Sequence, residues 1–129
     1  MSALLIPGSP GELVDKITIL EIKAAKISEK VKQSNILHEL EVLMKSYEEN
    51  ITISDKLTDL KRELKKVNES LWEIEDDIRS CERRSDFGAD FIKLARSVYF
   101  ENDRRARLKK DINMLLGSEI IEEKSYAAY

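Results

Sequence analysis

Residues 54–83 read SDKLTDLKRELKKVNESLWEIEDDIRSCER and decide the fold of this chain. The stretch contains neither glycine nor proline, and its apolar residues recur at steps of three and four, the spacing of one face of an α-helix. These residues are Leu57, Leu60, Leu64, Val67, Leu71, Ile74, Ile78 and Cys81. Ser54 stands where an N-cap is expected. The pattern predicts a helix of about 28 residues, about 42 Å long at ~1.5 Å per residue.

A first helix is predicted upstream, beginning at the sequence SPGE of residues 9–12. Ser9 can cap this helix, Pro10 occupies a first-turn position that needs no N–H donor, and Glu12 can complete a capping box. The three-four spacing of the apolar residues continues through Val31, so we expect this helix to run from Pro10 to about Lys32.

Two further helices complete the prediction. The apolar pattern restarts near Ser34 and gives a second helix ending around Glu49, followed by a loop over residues 50–54. The sequence SDFG of residues 85–88 interrupts the third helix with turn residues. A fourth helix should follow and end at Gly117, which can adopt the left-handed conformation of a helix C-terminus.

These elements predict an all-α fold with a single helical domain over residues 1–129. We expect a bundle built on a long antiparallel hairpin of the third and fourth helices, with the first helix alongside. Residues 1–9 form an N-terminal extension and residues 118–129 a C-terminal tail. Because a helix of this length exceeds the span of a compact chain of this size, we expect a second copy to complete the bundle as a homodimer. A monomeric bundle is the alternative.

The charge balance narrows the classes of partner. The chain has 22 basic and 25 acidic residues and a net charge of −3, so it lacks the positive field of a nucleic-acid-binding protein. One cysteine cannot form an internal disulfide, which fits the cytoplasm. No apolar run approaches the ~18 residues of a membrane span, so we expect no membrane partner. No cofactor-binding motif is present, and we predict no cofactor.

Polar residues on the apolar faces are the candidates for a functional site. Eight of the polar residues that helical periodicity places there are candidate site residues: Glu21 on the first helix; Asn68, Glu75, Arg79 and Glu82 on the third; Asn102, Arg105 and Lys109 on the fourth. Buried charges need partners, so these residues either form an internal network that fixes helix pairing or line a pocket. Such a pocket would hold a small anionic or hydroxyl-rich molecule.

A metal-dependent reaction is a further alternative. Glu73, Glu75 and Asp76 lie in the densest acidic run, and acidic pairs on adjacent helices hold Mg²⁺ in all-α nucleotide pyrophosphohydrolases. The second pair would have to include Asp103 on the fourth helix. Its spacing of two from Glu101 places these carboxylates on different sides, so a solvated acidic face is favoured. We predict no metal site.

Four segments resemble a family of short bacterial proteins of uncharacterised function. They are SPGELVDKITILEIK at residues 9–23, LWEIEDDIR at 71–79, LARSVY at 94–99 and NDRRA at 102–106. The family resembles domains associated with glycosyltransferases and surface-polysaccharide genes. The resemblance implies a role near sugar or nucleotide-sugar chemistry, and it assigns no catalytic residue.

The sequence therefore predicts a non-catalytic accessory protein. It would bind a small polar ligand or a partner protein in surface-carbohydrate metabolism. The alternatives are a metal-dependent hydrolase of a nucleotide or sugar phosphate, and a purely structural interaction adaptor.

Overall fold

The computed structural model describes residues 3–129 and contains four helices over that range. They are α1 (Pro10–Lys26), α2 (Lys30–Asn50), α3 (Asp55–Arg83) and α4 (Ala89–Leu115). No strand occurs in this part of the chain, so the all-α prediction is confirmed. Residues 1–2 of the predicted N-terminal extension lie outside the described residues, and residues 3–8 precede α1 without helix.

Helix α1 is the central element of the fold. It packs against each of the other three helices, and α3 and α4 pack along each other. A connection of five residues, 84–88, joins these two long helices, so they run antiparallel. The backbone of α2, within the described residues, approaches no helix other than α1. The result is three layers, with α1 between α2 and the α3–α4 pair.

The apolar core lies where the three layers meet. Its buried members come from all four helices: Val14, Ile17, Tyr47, Leu57, Leu60, Leu64, Val67, Leu108 and Ile112. The α3 residues of this set belong to the stripe that the sequence pattern identified. Because burying a large aliphatic side chain stabilises a protein by about 1.5–3 kcal/mol, this cluster holds the layers together.

The predicted helix ends are largely confirmed. Ser9 Oγ accepts a hydrogen bond from Glu12 N at 3.2 Å, and Ser54 Oγ accepts one from Leu57 N at the same distance. Gly117 has a φ of +64°, the left-handed conformation that favours glycine. Only half of the capping box forms, because the carboxylate of Glu12 binds Lys109 on α4 instead.

The predicted end of the first helix is wrong. Helix α1 ends at Lys26, and Ile27 is extended with φ −105° and ψ 115°. The carboxylate of Glu29 then accepts hydrogen bonds from Val31 N at 3.1 Å and Lys32 N at 3.2 Å, which starts a new helix. Val31 therefore belongs to α2, and it is 67% exposed rather than buried. The apolar spacing predicted one continuous helix, but the carboxylate of Glu29 caps the start of a second helix at this point.

Candidate functional site

A buried polar cluster centred on Asp15 joins α1, α3 and α4. The Asp15 side chain is 1% exposed. Arg105 of α4 donates to both of its oxygens, from Nε to Oδ1 at 2.9 Å and from Nη2 to Oδ2 at 2.5 Å. Asn68 of α3 donates to Asp15 Oδ1 at 2.9 Å and to Thr18 Oγ1 at 3.0 Å. We call these four residues the Asp15 network.

The bonding within the Asp15 network accounts for the burial of its charge. A buried carboxylate is tolerated when an opposite charge and additional donors satisfy it, and a bidentate arginine is the strongest such partner. The hydrogen bond with Asp15 raises the pKa of Arg105 despite the opposing effect of burial. Thr18 turns its own hydroxyl donor to the backbone oxygen of Asp15 at 2.8 Å. The network therefore fixes the lateral position of α1 on the α3–α4 pair.

One turn before Asp15, α1 approaches the backbone of α4 closely. Gly11 N donates to Asn113 Oδ1 at 2.7 Å, and this asparagine is buried. A Cβ atom on residue 11 would lie 2.4 Å from the backbone oxygen of Lys109. Only glycine fits at this crossing, because a contact of that length requires the helices to separate.

Lys109 connects α1, α4 and the C-terminal residues. Its Nζ lies 2.8 Å from Glu12 Oε2 and 2.9 Å from Glu122 Oε2, and the lysine side chain is largely buried. Burial lowers the pKa of Lys109, but the hydrogen bonds with Glu12 and Glu122 outweigh that effect and leave it raised. The ammonium therefore remains charged with a carboxylate on each side.

Residues 118–129, which we call the tail, contain no helix and run back along α4. The ion pairs between the tail and α4 join Glu122 to Lys109, Glu123 to Lys110 at 3.3 Å, and Lys124 to Asp103 at 2.6 Å. Glu122 and Glu123 thus lie opposite adjacent lysines of α4, and Lys124 lies opposite a residue about two turns earlier on that helix.

The last tail residue contacts an aromatic pair. The ring of Tyr129 lies 5.2 Å from that of Tyr99 and 4.8 Å from that of Phe100, centroid to centroid. Its hydroxyl also donates to Asp103. The hydrogen bonds from Lys124 and Tyr129 lower the pKa of Asp103, and the bond to Asp103 raises the pKa of Tyr129. We call the surface that the tail covers the α4 outer face: Tyr99, Phe100, Asp103, Lys109 and Lys110.

The eight residues predicted from periodicity occupy three kinds of position. Three lie in contacts between helices: Asn68, Arg105 and Lys109. Three are exposed on α3: Glu75, Arg79 and Glu82. Two are half-buried: Glu21 and Asn102. The structure thus brings the first group together around Asp15 and α1. Within residues 3–129, Arg79 instead pairs only with Glu75, one turn away on the same helix.

Two carboxylate oxygens in the described part of the chain are buried without a hydrogen-bond partner. They are Glu21 Oε1 and Glu101 Oε2. The other oxygen of Glu101 pairs with Arg104 at 3.2 Å. A buried carboxylate oxygen that lacks a donor is costly, so each position has the chemistry to accept a hydrogen bond from a bound molecule.

The acidic residues considered for a metal site do not converge. Glu73, Glu75 and Asp76 are exposed on α3, and the carboxylate of Asp103 is bound to the tail. Within residues 3–129, no group of three or more His, Cys, Asp or Glu side chains is arranged to hold a metal ion.

Two open surface depressions lie away from the Asp15 network. One of about 510 Å³ lies beside the start of α2, around Gln33 and His38. The other, of about 470 Å³, lies between α3 and α4 near Cys81 and Lys93. No residue of the Asp15 network lines either depression, so the network is packed between helices rather than open to a cavity.

The principal residue that sequence reasoning missed is Asp15. Gly11, Asp15, Thr18 and Ile22 follow each other at steps of four, three and four, and all four are buried. They form a second row beside the apolar stripe of α1. This repeated spacing was the available signal, because a row of mixed polarity at helical spacing indicates a polar contact with another helix.

Comparison with known proteins identifies the family of the chain. None of the helices over residues 3–129 has the length and apolar character that crossing a membrane requires. No curated protein and no solved structure matches the chain. A protein family matches residues 5–129, nearly the whole length, which confirms the resemblance to a family of uncharacterised function. The protein belongs to the family of unknown function DUF6165.

Proposed function

We propose that this protein is a non-catalytic binding module whose α4 outer face recognises an acidic, tyrosine-bearing segment. The observation that carries the proposal is the tail, which already occupies this face with two glutamates, a lysine and a tyrosine. A surface that binds such a segment from its own chain has the chemistry to bind one from a partner.

The charges of α4 favour an acidic occupant. Lys109 and Lys110 each pair with a tail glutamate, and Asp103 provides one acceptor for a cationic or hydroxyl group. Tyr99 and Phe100 supply ring faces for an aromatic residue of the occupant. These charged and aromatic side chains of α4 together favour a bound segment in which two acidic residues are followed by a cationic residue and then an aromatic residue.

The Asp15 network supports this function structurally. Arg105 and Lys109 lie on the part of α4 that contacts α1, where Asp15 and Glu12 hold them. These contacts fix α4 against α1 and so position the outer face on a rigid element. Because Asp15 already engages Arg105 at two points, the cation serves the helix contact rather than a substrate.

A peptide titration tests the proposal. In the full chain, Glu122→Lys with Glu123→Lys places like charges opposite Lys109 and Lys110 and should release the tail. A fluorescent peptide of residues 118–129, SEIIEEKSYAAY, should then bind this variant saturably and more tightly than it binds the unaltered chain, whose own tail competes. Binding should weaken as salt is raised.

Matched controls separate recognition from general charge attraction. Lys110→Gln in the released chain removes the cation without giving the altered tail an opposite charge and should weaken peptide binding, whereas Lys45→Gln, an exposed change on α2, should leave it unchanged. A peptide carrying the same two glutamate-to-lysine changes should not bind. Equal binding of both peptides, or no binding of either, would refute the proposal.

A small-ligand function is the second candidate, and the unpartnered oxygens of Glu21 and Glu101 favour it. Asn68 and Arg105 both bind Asp15, so they lie at the same height along the antiparallel α3–α4 pair. One helical turn closer to the α3–α4 connection, Trp72 of α3 and Glu101 of α4 lie at a common height by the same alignment. The unpartnered oxygen of Glu101 suits a hydroxyl-rich molecule, which agrees with the surface-carbohydrate role that the resemblance implies.

The single tryptophan provides the test of this second candidate. Trp72 is half-buried, so its fluorescence should respond to a sugar, sugar phosphate or nucleotide sugar bound near Glu101. A saturable change that Glu101→Gln weakens and Glu73→Gln leaves intact would support the candidate. An unchanged spectrum across such a panel would exclude binding at this level of the bundle.

A further inference from the structure

The tail and the α4 outer face are complementary surfaces carried by the same chain. The tail presents Glu122 and Glu123, and α4 presents Lys109 and Lys110 opposite them. A two-fold interface requires this property, because each copy must offer both a group and the partner of that group. In a pair of copies, the tail of each chain can therefore form these ion pairs with the α4 outer face of the other chain.

The junction between α4 and the tail is suited to redirecting the chain. Gly117 adopts a left-handed φ of +64°, and no atom lies within 4 Å of the position of a Cβ on it. Among residues 3–129, the hydrogen bonds that join the tail beyond Ser118 to α4 are all made by side chains, and no backbone ladder fixes the tail in place. Exchange of the tail would therefore break few hydrogen bonds.

The docked tail leaves much of the aromatic cluster exposed to solvent. Tyr99 is 42% exposed, Phe100 is 41% exposed and Tyr129 is 73% exposed even with the tail in place. Further apolar residues near the C-terminal end of α4 are also exposed: Met114, Leu115 and Ile120. A second molecule laid against this surface would bury side chains that the tail alone does not cover.

We propose that two copies associate through their α4 outer faces, each tail lying on α4 of the other copy. The occupant is thus a second copy of this chain, and the inference rests on the proposed recognition of an acidic segment by α4. A tail attached to its own α4 has an effective concentration in the millimolar range. The exchanged arrangement competes with it by burying the exposed aromatic and aliphatic side chains as well.

Engineered disulfides distinguish exchange from docking within one chain. In a Cys81→Ala background, one population carries Phe100→Cys and another carries Tyr129→Cys. The two are mixed, oxidised mildly and resolved on a non-reducing gel. Exchange predicts a covalent species of twice the chain mass that contains one chain of each kind. Asp76→Cys, an exposed site on α3, replaces Phe100→Cys in the control and should give no such species with Tyr129→Cys.

A third chain carries both Phe100→Cys and Tyr129→Cys and identifies the remaining outcomes. If the mixture gives no mixed dimer but this chain closes an internal disulfide, the tail docks on its own α4, which overturns the exchange and leaves the proposed function standing. If neither species forms, both proposals fail. Sedimentation of the unaltered protein should show a mass that rises from one chain to two with concentration, and a single-chain mass throughout would also overturn the exchange.

Discussion

The carboxylate of Asp15 on α1 and the guanidinium of Arg105 on α4 form an ion pair with two hydrogen bonds, although the two residues lie 90 positions apart in sequence. Asp15 is buried, whereas Arg105 reaches the pair from a partly exposed position. Asn68 adds a third hydrogen bond from α3. This single carboxylate therefore sets how α1 sits on the α3–α4 pair, which in turn positions the surface that the tail covers.

Loss of Arg105 should destabilise the fold strongly. Arg105→Met leaves the charge of Asp15 buried with only Asn68 as a donor, and breaking a buried pair in this way costs about 3–5 kcal/mol. Chemical denaturation followed by circular dichroism should show the loss as a lower midpoint. Arg79→Met is the matched control, because its exposed pair with Glu75 is worth at most about 1 kcal/mol.

The double variant Asp15→Leu with Arg105→Met should recover part of that loss, since no charge is then left unpaired. If Arg105→Met were no more harmful than Arg79→Met, the Asp15 network would have no part in holding α1.

Gly11→Ala should separate α1 from α4. The added Cβ would lie 2.4 Å from the backbone oxygen of Lys109 and 2.9 Å from Asn113 Oδ1, so the helices must move apart. We expect a loss of about 1–3 kcal/mol, the usual cost of overpacking, measured by thermal or denaturant unfolding. Gly8→Ala should be nearly neutral, because the nearest atom to its Cβ lies 3.9 Å away. Equal stability of the two variants would contradict the close crossing.

Docking of the tail should depend on pH at both ends of the scale. The pKa of Asp103 is lowered from 3.8 by Lys124 and Tyr129, so its contribution is complete above 3.8 and is lost as the pH falls through the lowered value. The pKa of Tyr129 is raised from 10.0 by Asp103, so its contribution is complete below 10.0 and is lost as the pH rises through the raised value.

The NMR shift of the Tyr129 ring measures this dependence. This chemical shift should be constant between pH 3.8 and pH 10.0, and outside that range it should move toward the chemical shift of a free tyrosine. Asp103→Asn removes the charged acceptor and should shift the ring toward the free position at neutral pH. A ring shift that Asp103→Asn leaves unaltered at neutral pH would rule out the contact.

Periodicity predicted the long third helix well but misplaced the boundary between the first two. The stripe of α3 is continuous and uninterrupted by turn residues, so spacing alone defines Asp55–Arg83. Between α1 and α2 the spacing also continues, and the break depends on Ile27 becoming extended and Glu29 capping the next helix. A glutamate is not a preferred cap, so the sequence carries little signal for this turn.

The candidate site was predictable only in part, for a related reason. Spacing places a residue on a helix face, but it does not say whether another helix covers that face. Asn68 and Glu75 are seven residues apart and share a side of α3, yet the first is buried against α1 and the second is exposed. The partner of Arg105 is an aspartate ninety positions away, and no local pattern joins the two.

Contacts between the Tyr129 ring and α4 test the central claim, that the α4 outer face binds an acidic, tyrosine-bearing segment. In isotope-labelled protein at neutral pH, we predict nuclear Overhauser effects from the Tyr129 ring to the rings of Tyr99 and Phe100, whose centroids lie 5.2 and 4.8 Å away. A Tyr129 ring with the shifts of an unfolded peptide and no such effects would contradict the account.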